Sequence, residues 1–350
     1  MVYFLAKSGR VAPLFFLETF LIAFISVFVI YPQISWGIKT EAGYNFASGS
    51  GILDSSDFVL GLDGEVGYLF EQESRKASLI LKARPELYGF NNDLFSARLR
   101  AKGNFYQEEE NFNWGINLTG QRNIFNGRNL DLAYDIFILN AEASCFFIDG
   151  VPFTLNFGYA YQNAENQFEQ NLDLFFFDTK FFSQLDFLRI GYGIYVERFN
   201  LLYEERQKTT FKNSNSGWRV GPQISLNYLR DWIFSAEYRF LVHYSQVTEN
   251  PSYDQWIRLL AGKIFLNDFS AFILADFYLR DYKLKRNSSD ILPVLYTPID
   301  QENNLYFKVG YDISDVFAVY IRSGYFKENL FLNDFSFSGW NILLGVELSN

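Results

Sequence analysis

The sequence predicts an all-β protein: a transmembrane antiparallel β-barrel of about sixteen strands, with fourteen as the alternative count. Three observations lead there. Apolar and polar residues alternate with period two from residue 36 almost to the end. The connections between alternating segments are by turns short and long. Tryptophan falls near both ends of the segments.

Alternation comes first because side chains along a strand point to opposite faces. Trp36, Ile38, Ala42, Tyr44 and Phe46 share one face against Lys39, Glu41, Gly43 and Asn45. Leu60, Leu62, Val66 and Tyr68 oppose Gly61, Asp63, Glu65 and Gly67. The pattern recurs down to Trp340, Ile342, Leu344, Val346 and Leu348, set against Asn341, Gly345 and Glu347. Two places are irregular. Asp131 to Asp135 reads as a register slip, and Phe175 to Phe182 is apolar on both faces.

Short turns are expected at Glu71–Arg75, Gln107–Asn111, Ile148–Val151, Arg230–Asp231, Asn267–Asp268 and Ser314–Asp315. Longer loops are expected between them, above all Leu201–Asn215 and Leu284–Asn303. Tight turns on one side and long loops on the other fit a membrane barrel. Trp36, Trp114 and Trp232 fall at one end of their strands, and Trp218, Trp256 and Trp340 at the other. Together they predict two aromatic girdles at the membrane–water interfaces.

Composition agrees. Aromatic residues reach 20%, with 40 Phe and 23 Tyr, yet mean hydropathy is only -0.05. An aromatic face toward lipid and a polar face inward reconcile the two. A soluble barrel would share the alternation, but about sixteen strands close into a ring too wide for side chains to fill. A net charge of -10 excludes nucleic acid as the expected partner, since phosphate binding needs clustered Lys and Arg. A lone Cys145 excludes an intrachain disulfide and multi-cysteine metal sites.

The N-terminus reads as an address. Lys7 and Arg10 precede the apolar run Phe20–Ile30, and Pro32 then breaks it. Residues 1–35 are expected to be a signal peptide, and residues 36–350 the barrel. Glu18 and Gln33 depart from the usual pattern, which leaves an uncleaved anchor as the alternative.

On these features the chain resembles bacterial porin-like outer-membrane proteins as a class. The resemblance covers the leader and nearly the whole remaining chain, and it is one of architecture. The last segment, Trp340 to Leu348, has the alternation of such proteins, but Ser349-Asn350 lacks their terminal aromatic. The resemblance implies the bacterial outer membrane as location. It also implies a channel for passive diffusion of small polar or charged solutes, with outer-membrane lipid and those solutes as partners. A homo-oligomer or a second outer-membrane protein stays open as a partner. The alternative is a non-channel barrel with an assembly, secretion or surface-binding role.

If the apolar faces meet lipid, the opposite faces line the lumen. A basic cluster of Lys82, Arg84, Arg98, Arg100 and Lys102 then falls on one hairpin, with Glu41, Asp63 and Glu65 as the opposing acids. Opposed rows of charge predict a selective constriction, and local salt bridges on a solvated wall are the alternative. A second patch gathers Tyr278, Arg280, Tyr282, Tyr306, Lys308, Tyr320 and Arg322 on three consecutive strands. It either contacts solutes or fills space along the wall.

No enzyme, cofactor or metal is expected. His243 and Ser245 have the His-x-Ser spacing of an outer-membrane phospholipase, but they share the lumen face and no acid groups around His243. The reading left for it is a lumen histidine near Glu237 and Arg239.

Overall fold

The computed structural model describes residues 33–49, 56–89, 94–127, 130–146, 151–165, 168–205, 212–265, 268–285, 303–329 and 336–350. Sixteen strands form a closed barrel. They are β1 (Gln33–Gly49), β2 (Asp57–Gln72), β3 (Arg75–Tyr88), β4 (Leu94–Glu108), β5 (Phe112–Gly127), β6 (Leu130–Phe146), β7 (Pro152–Glu165) and β8 (Phe168–Leu185). The second half is β9 (Leu188–Glu205), β10 (Lys212–Leu229), β11 (Ile233–Ser245), β12 (Thr248–Phe265), β13 (Phe269–Leu284), β14 (Asn303–Ser314), β15 (Phe317–Asn329) and β16 (Ser336–Ser349). Each strand pairs antiparallel with its neighbours in sequence, and β1 closes on β16 from Gly37↔Ser349 to Gly49↔Phe337. The sixteen-strand expectation holds, and no sheet edge is left open.

Sidedness follows the alternation. Leu60, Leu62 and Val66 are 46%, 45% and 53% exposed on the outside, whereas Asp63 on the same strand reaches Lys82 inside. A water-soluble protein does not leave such rows in water. With hydrocarbon as the outer solvent they need no cover, and the closed ladder satisfies the backbone. The chain is a membrane-spanning β-barrel.

The wall differs from the expectation in three ways. The stretch from Asp131 to Asp135 does not slip: β5 and β6 pair continuously from Phe112↔Cys145 to Gly127↔Leu130. Instead the polarity inverts locally. Ile136 is buried, while Asp135 faces out and meets outward Arg122 at 3.2 Å. An Arg on a barrel's lipid face costs about 2–4 kcal/mol at the midplane and about 0–1 near the interface, and an Asp less, so a partner of opposite sign matters there.

The doubly apolar run in β8 also has a cause. Phe175 and Phe177 face outward, whereas Phe176 and Phe182 turn inward and lie over glycines of the flanking strands. A Cβ on Gly158 would stand 2.1 Å from Phe176 Cζ, and one on Gly191 would stand 2.8 Å from Phe182 Cε1. An aromatic ring that covers a facing glycine pins the register of the two strands.

The loop lengths are less regular than expected. The rim that carries both chain ends has tight turns, such as Glu73–Ser74 and Asp186–Phe187, with Glu73 and Asp186 at positive φ. The opposite rim is mixed. Residues 285–302 separate β13 from β14, but β9 and β10 stay paired out to Glu204↔Lys212, so only 206–211 remain of the expected long loop. Connections 128–129, 166–167 and 246–247 on that rim are as short as the turns opposite.

Residues 1–32 of the expected leader lie outside the described residues. Its last three, Gln33 to Ser35, belong to β1 and pair with Leu69, Tyr68 and Gly67.

Candidate functional site: the lumen wall

All five predicted cations of the first cluster project inward from β3 and β4, where Lys82 pairs with Arg100 and Arg84 with Arg98 in register. Their partners are local. Lys82 Nζ lies 3.0 Å from Asp63 and 3.7 Å from Glu65. Arg84 lies 2.7 Å from Glu86 and 3.6 Å from Glu41. Arg98 and Arg100 donate through Nε to the amide oxygens of Asn123 (3.1 Å) and Gln121 (2.6 Å) on β5. Lys102 is exposed. The three acids therefore do not form a separate row across the bore; they sit on the adjacent strands β1 and β2 and pair sideways.

Sequence reasoning missed Glu86, which gathers Arg84, Tyr88 (3.0 Å) and Ser96 (3.2 Å). It shares the inward parity of Lys82 and Arg84, so the alternation alone would have added it to the cluster.

The second patch splits in two. Tyr306, Lys308, Tyr320 and Arg322 turn toward the seam where β16 meets β1. Glu41 accepts there from Tyr320 Oη (3.0 Å) and Arg322 Nη2 (2.8 Å). Lys308 Nζ sits 4.0 Å over the Tyr320 ring and 3.7 Å from Glu347, which also holds Lys39 at 2.9 Å. The reach from β15 to β1 passes over Gly345, where a Cβ would meet Tyr320 Cζ at 2.2 Å. On its other side Glu41 reaches Arg84 past Gly61, which would place a Cβ 4.0 Å from Glu41 Cβ. One carboxylate thus joins the two predicted patches, beside a recess of about 270 Å³ lined by Glu41, Arg84, Glu86, Tyr306 and Arg322.

Tyr278 and Tyr282 go the other way, because β14 pairs with β13 only up to Asp276↔Asn304 and leaves them above its end. Both phenols donate to Asp254, Tyr282 at 2.7 Å. Arg280 lies 5.8 Å from the Tyr278 ring centroid. Asp254 belongs to a closed network. Arg219 bonds Glu197 (Nε 2.8 Å) and Tyr278 and approaches Asp254 at 3.6 Å, and Tyr195 Oη donates to Glu197 at 2.7 Å. Arg219, Glu197 and Asp254 have side chains 3% exposed or less. Leu172, Phe199, Leu201 and Leu241 are buried around them.

His243 is part of this network, and an acid does stand beside it: Nδ1 lies 3.3 Å from Asp254 Oδ2. The expectation failed because Asp254 comes from β12, and period-two reading does not give cross-strand register. The ring stacks between Phe199 (5.3 Å) and Tyr282 (4.3 Å). Ser245 turns to Thr248 at 3.0 Å. Closed in this way, the histidine packs between the two rings beside the Asp254 carboxylate.

Below that network Glu237 takes Lys180 (2.9 Å) and Arg239 (3.0 Å). The Arg239 guanidinium lies between the rings of Tyr195 (4.5 Å) and Trp256 (4.3 Å). This corrects the girdle. Trp36, Trp218, Trp232 and Trp340 are 40–54% exposed, and Trp114 packs against Phe105 at 5.3 Å. Trp256 points into the lumen, 8% exposed, with its indole N–H on Asp276 at 2.8 Å. Its register partner is inward Arg239, and it sits mid-strand in β12.

No family model and no curated protein matches the sequence. Solved structures do resemble the fold. The toluene transporter TodX of P. putida is 10% identical over 94% of this chain and 92% of its own, with a TM-score of 0.40. CdiB from Acinetobacter baumannii is 9% identical over 91% of this chain and 60% of its own (TM-score 0.49). A BenF-like porin from Pseudomonas fluorescens is 9% identical over 92% of this chain and all of its own (TM-score 0.41).

Proposed function

We propose that the barrel is a porin-like channel through which small polar or charged solutes diffuse passively. The observation that carries this reading is the charged, partly exposed wall around Glu41, where Arg84 and Arg322 side chains are 30% and 18% exposed beside an open recess. The mechanism is size exclusion with an electrostatic bias: fixed charges of both signs at the wall act on a solute over a Debye length of about 8–10 Å. Arg98, Arg100 and Lys102 give the β4 segment of that wall its positive field.

Single-channel recording in planar bilayers tests it. Stepwise conductance is expected, and its absence would leave the assembly or surface-binding role in possession. With conductance in hand, Arg98→Gln/Arg100→Gln/Lys102→Gln should lower anion preference in a salt gradient. An unchanged reversal potential would remove the cluster from the selectivity mechanism. The leader is proposed to be cut upstream of Gln33, since Ile34 and Ser35 stand in β1 opposite Tyr68 and Gly67. The intact mass of the membrane-inserted chain reads this directly.

A further inference from the structure

The outside of β1 to β6 is not uniformly covered. A groove of about 950 Å³ crosses it, with Gly64, Ala83, Ala101 and Gly120 as its floor. At both Gly64 and Gly120 an added Cβ meets nothing within 4 Å. Inside the barrel the contrary holds: Gly158, Gly262 and Gly345 are each filled by a facing aromatic ring. The barrel's own packing therefore does not require the two outer glycines, and what they leave open faces the membrane.

The groove has a direction. In-register pairs carry it from Ile38 through Gly64, Ala83 and Leu99 to Arg122 and Asp135. Five interstrand steps of about 4.8 Å make it about 24 Å long. Trp36 marks one end, three residues into β1 at the rim with the chain ends. Arg122 and Asp135 mark the other, each five residues from the opposite rim. Apolar along its length and charged at one end, the groove has the polarity of a lipid laid beside it.

The charged end narrows the choice. Arg122 and Asp135 are about half exposed, and Arg122 engages the carboxylate through Nη1 at 3.2 and 3.4 Å. Guanidinium matches phosphate geometry, and the carboxylate beside it accepts an N–H donor. A purely anionic headgroup would meet Asp135 as a like charge. A second copy of the chain fits poorly, because a two-fold contact would set groove against groove and leave a void between them. We propose that this groove binds a phospholipid with a phosphoethanolamine headgroup, its phosphate on Arg122, its ammonium on Asp135 and an acyl chain along Gly64 and Gly120. The proposal is independent of what passes through the lumen.

Native mass spectrometry of the purified barrel, titrated with dipalmitoyl phosphatidylethanolamine in mild detergent, tests it. Wild type is expected to retain the lipid, while Gly64→Leu/Gly120→Leu and Arg122→Gln each retain it about tenfold more weakly. Phosphatidylcholine should also bind more weakly, because its quaternary ammonium offers Asp135 no N–H. Retention unchanged by filling the groove overturns the proposal, as does equal binding of the two headgroups. A dimer mass that disappears on filling overturns it too and assigns the groove to a second copy. Should the double-leucine chain fail to form the barrel, Arg122→Gln and the headgroup comparison still decide.

Discussion

The two sides of the lumen wall obey the same alternation and reach opposite ends. On β1 to β4 and β14 to β16, inward charges stay partly wet and pair with near neighbours, as in Lys82 with Asp63 and Arg322 with Glu41. On β9 to β13, the inward Arg219, Glu197 and Asp254 are closed in, and Arg219 links Glu197 on β9 to Tyr278 on β13, four strand intervals away. What separates them is apolar company. Phe199, Leu201 and Leu241 on the second side, with Leu172 on the adjoining β8, also point inward and exclude water from the ions. A charge on a barrel's inner face is thus a field source where its neighbours are polar and a structural member where they are leucine and phenylalanine.

The largest expected effect comes from breaking the closed side. Arg219→Met leaves Glu197 and Asp254 buried without their shared cation, and removing one partner of such a pair costs about 3–5 kcal/mol. Urea unfolding of the barrel in lipid vesicles would read the loss. Arg219→Met/Glu197→Gln should recover part of it, because the cost lies mainly in the orphaned charge. Equal stability of Arg219→Met and wild type would put the two sides on the same footing.

A middle effect is expected at the seam. Gly345→Ala puts a methyl group where Tyr320 lies, 2.2 Å from Cζ, and so drives the phenol off Glu41. Overpacking of this kind costs about 1–3 kcal/mol. If Glu41 is a field source, the channel's reversal potential should move as well, because the carboxylate loses a hydrogen bond and regains solvent.

How far these differences were legible depends on the kind of signal. Facing was legible, because period two is local: Lys82, Arg84, Tyr278, Tyr282, Tyr320 and Arg322 all meet partners on the inward face. Partnership was not. Asp254 stands beside His243, and Tyr278 turns away from Tyr306, because of where β12 and β14 sit in register. That register is pinned by such contacts as Phe176 on Gly158 or Phe272 on Gly262. Trp256 misled for a related reason. The sequence places a tryptophan by its distance from a strand end, and β12 begins eight residues before Trp256, at Thr248, and runs through Pro251. Its parity, shared with Asp254 and Arg258, carried the better signal.

On the open side, Lys82→Met tests how little a wet ion pair stabilises. Its Nζ is 3.0 Å from Asp63 with the lysine 34% exposed, so about 0–1 kcal/mol is expected in the same urea titration. The electrical effect should be the clearer one. Removing the cation leaves the Asp63 carboxylate facing the bore, and the reversal potential should shift toward cation preference. A stability loss as large as that of Arg219→Met would mean that the polar side is also a closed core.

The smallest effect is expected on the outer surface of that same side. At Gly120 an added Cβ meets nothing, so Gly120→Ala should leave unfolding within about 0.5 kcal/mol of wild type. A strand glycine replaced by alanine even gains slightly where the backbone is extended, since the unfolded chain loses freedom. Set beside Gly345→Ala, this separates two uses of one residue type in one wall. At Gly345 the missing side chain is filled by the barrel's own tyrosine, and adding it back must displace that ring. At Gly120 the missing side chain is left to the membrane, and its restoration should be felt in what the surface holds, with the strength of the barrel unchanged.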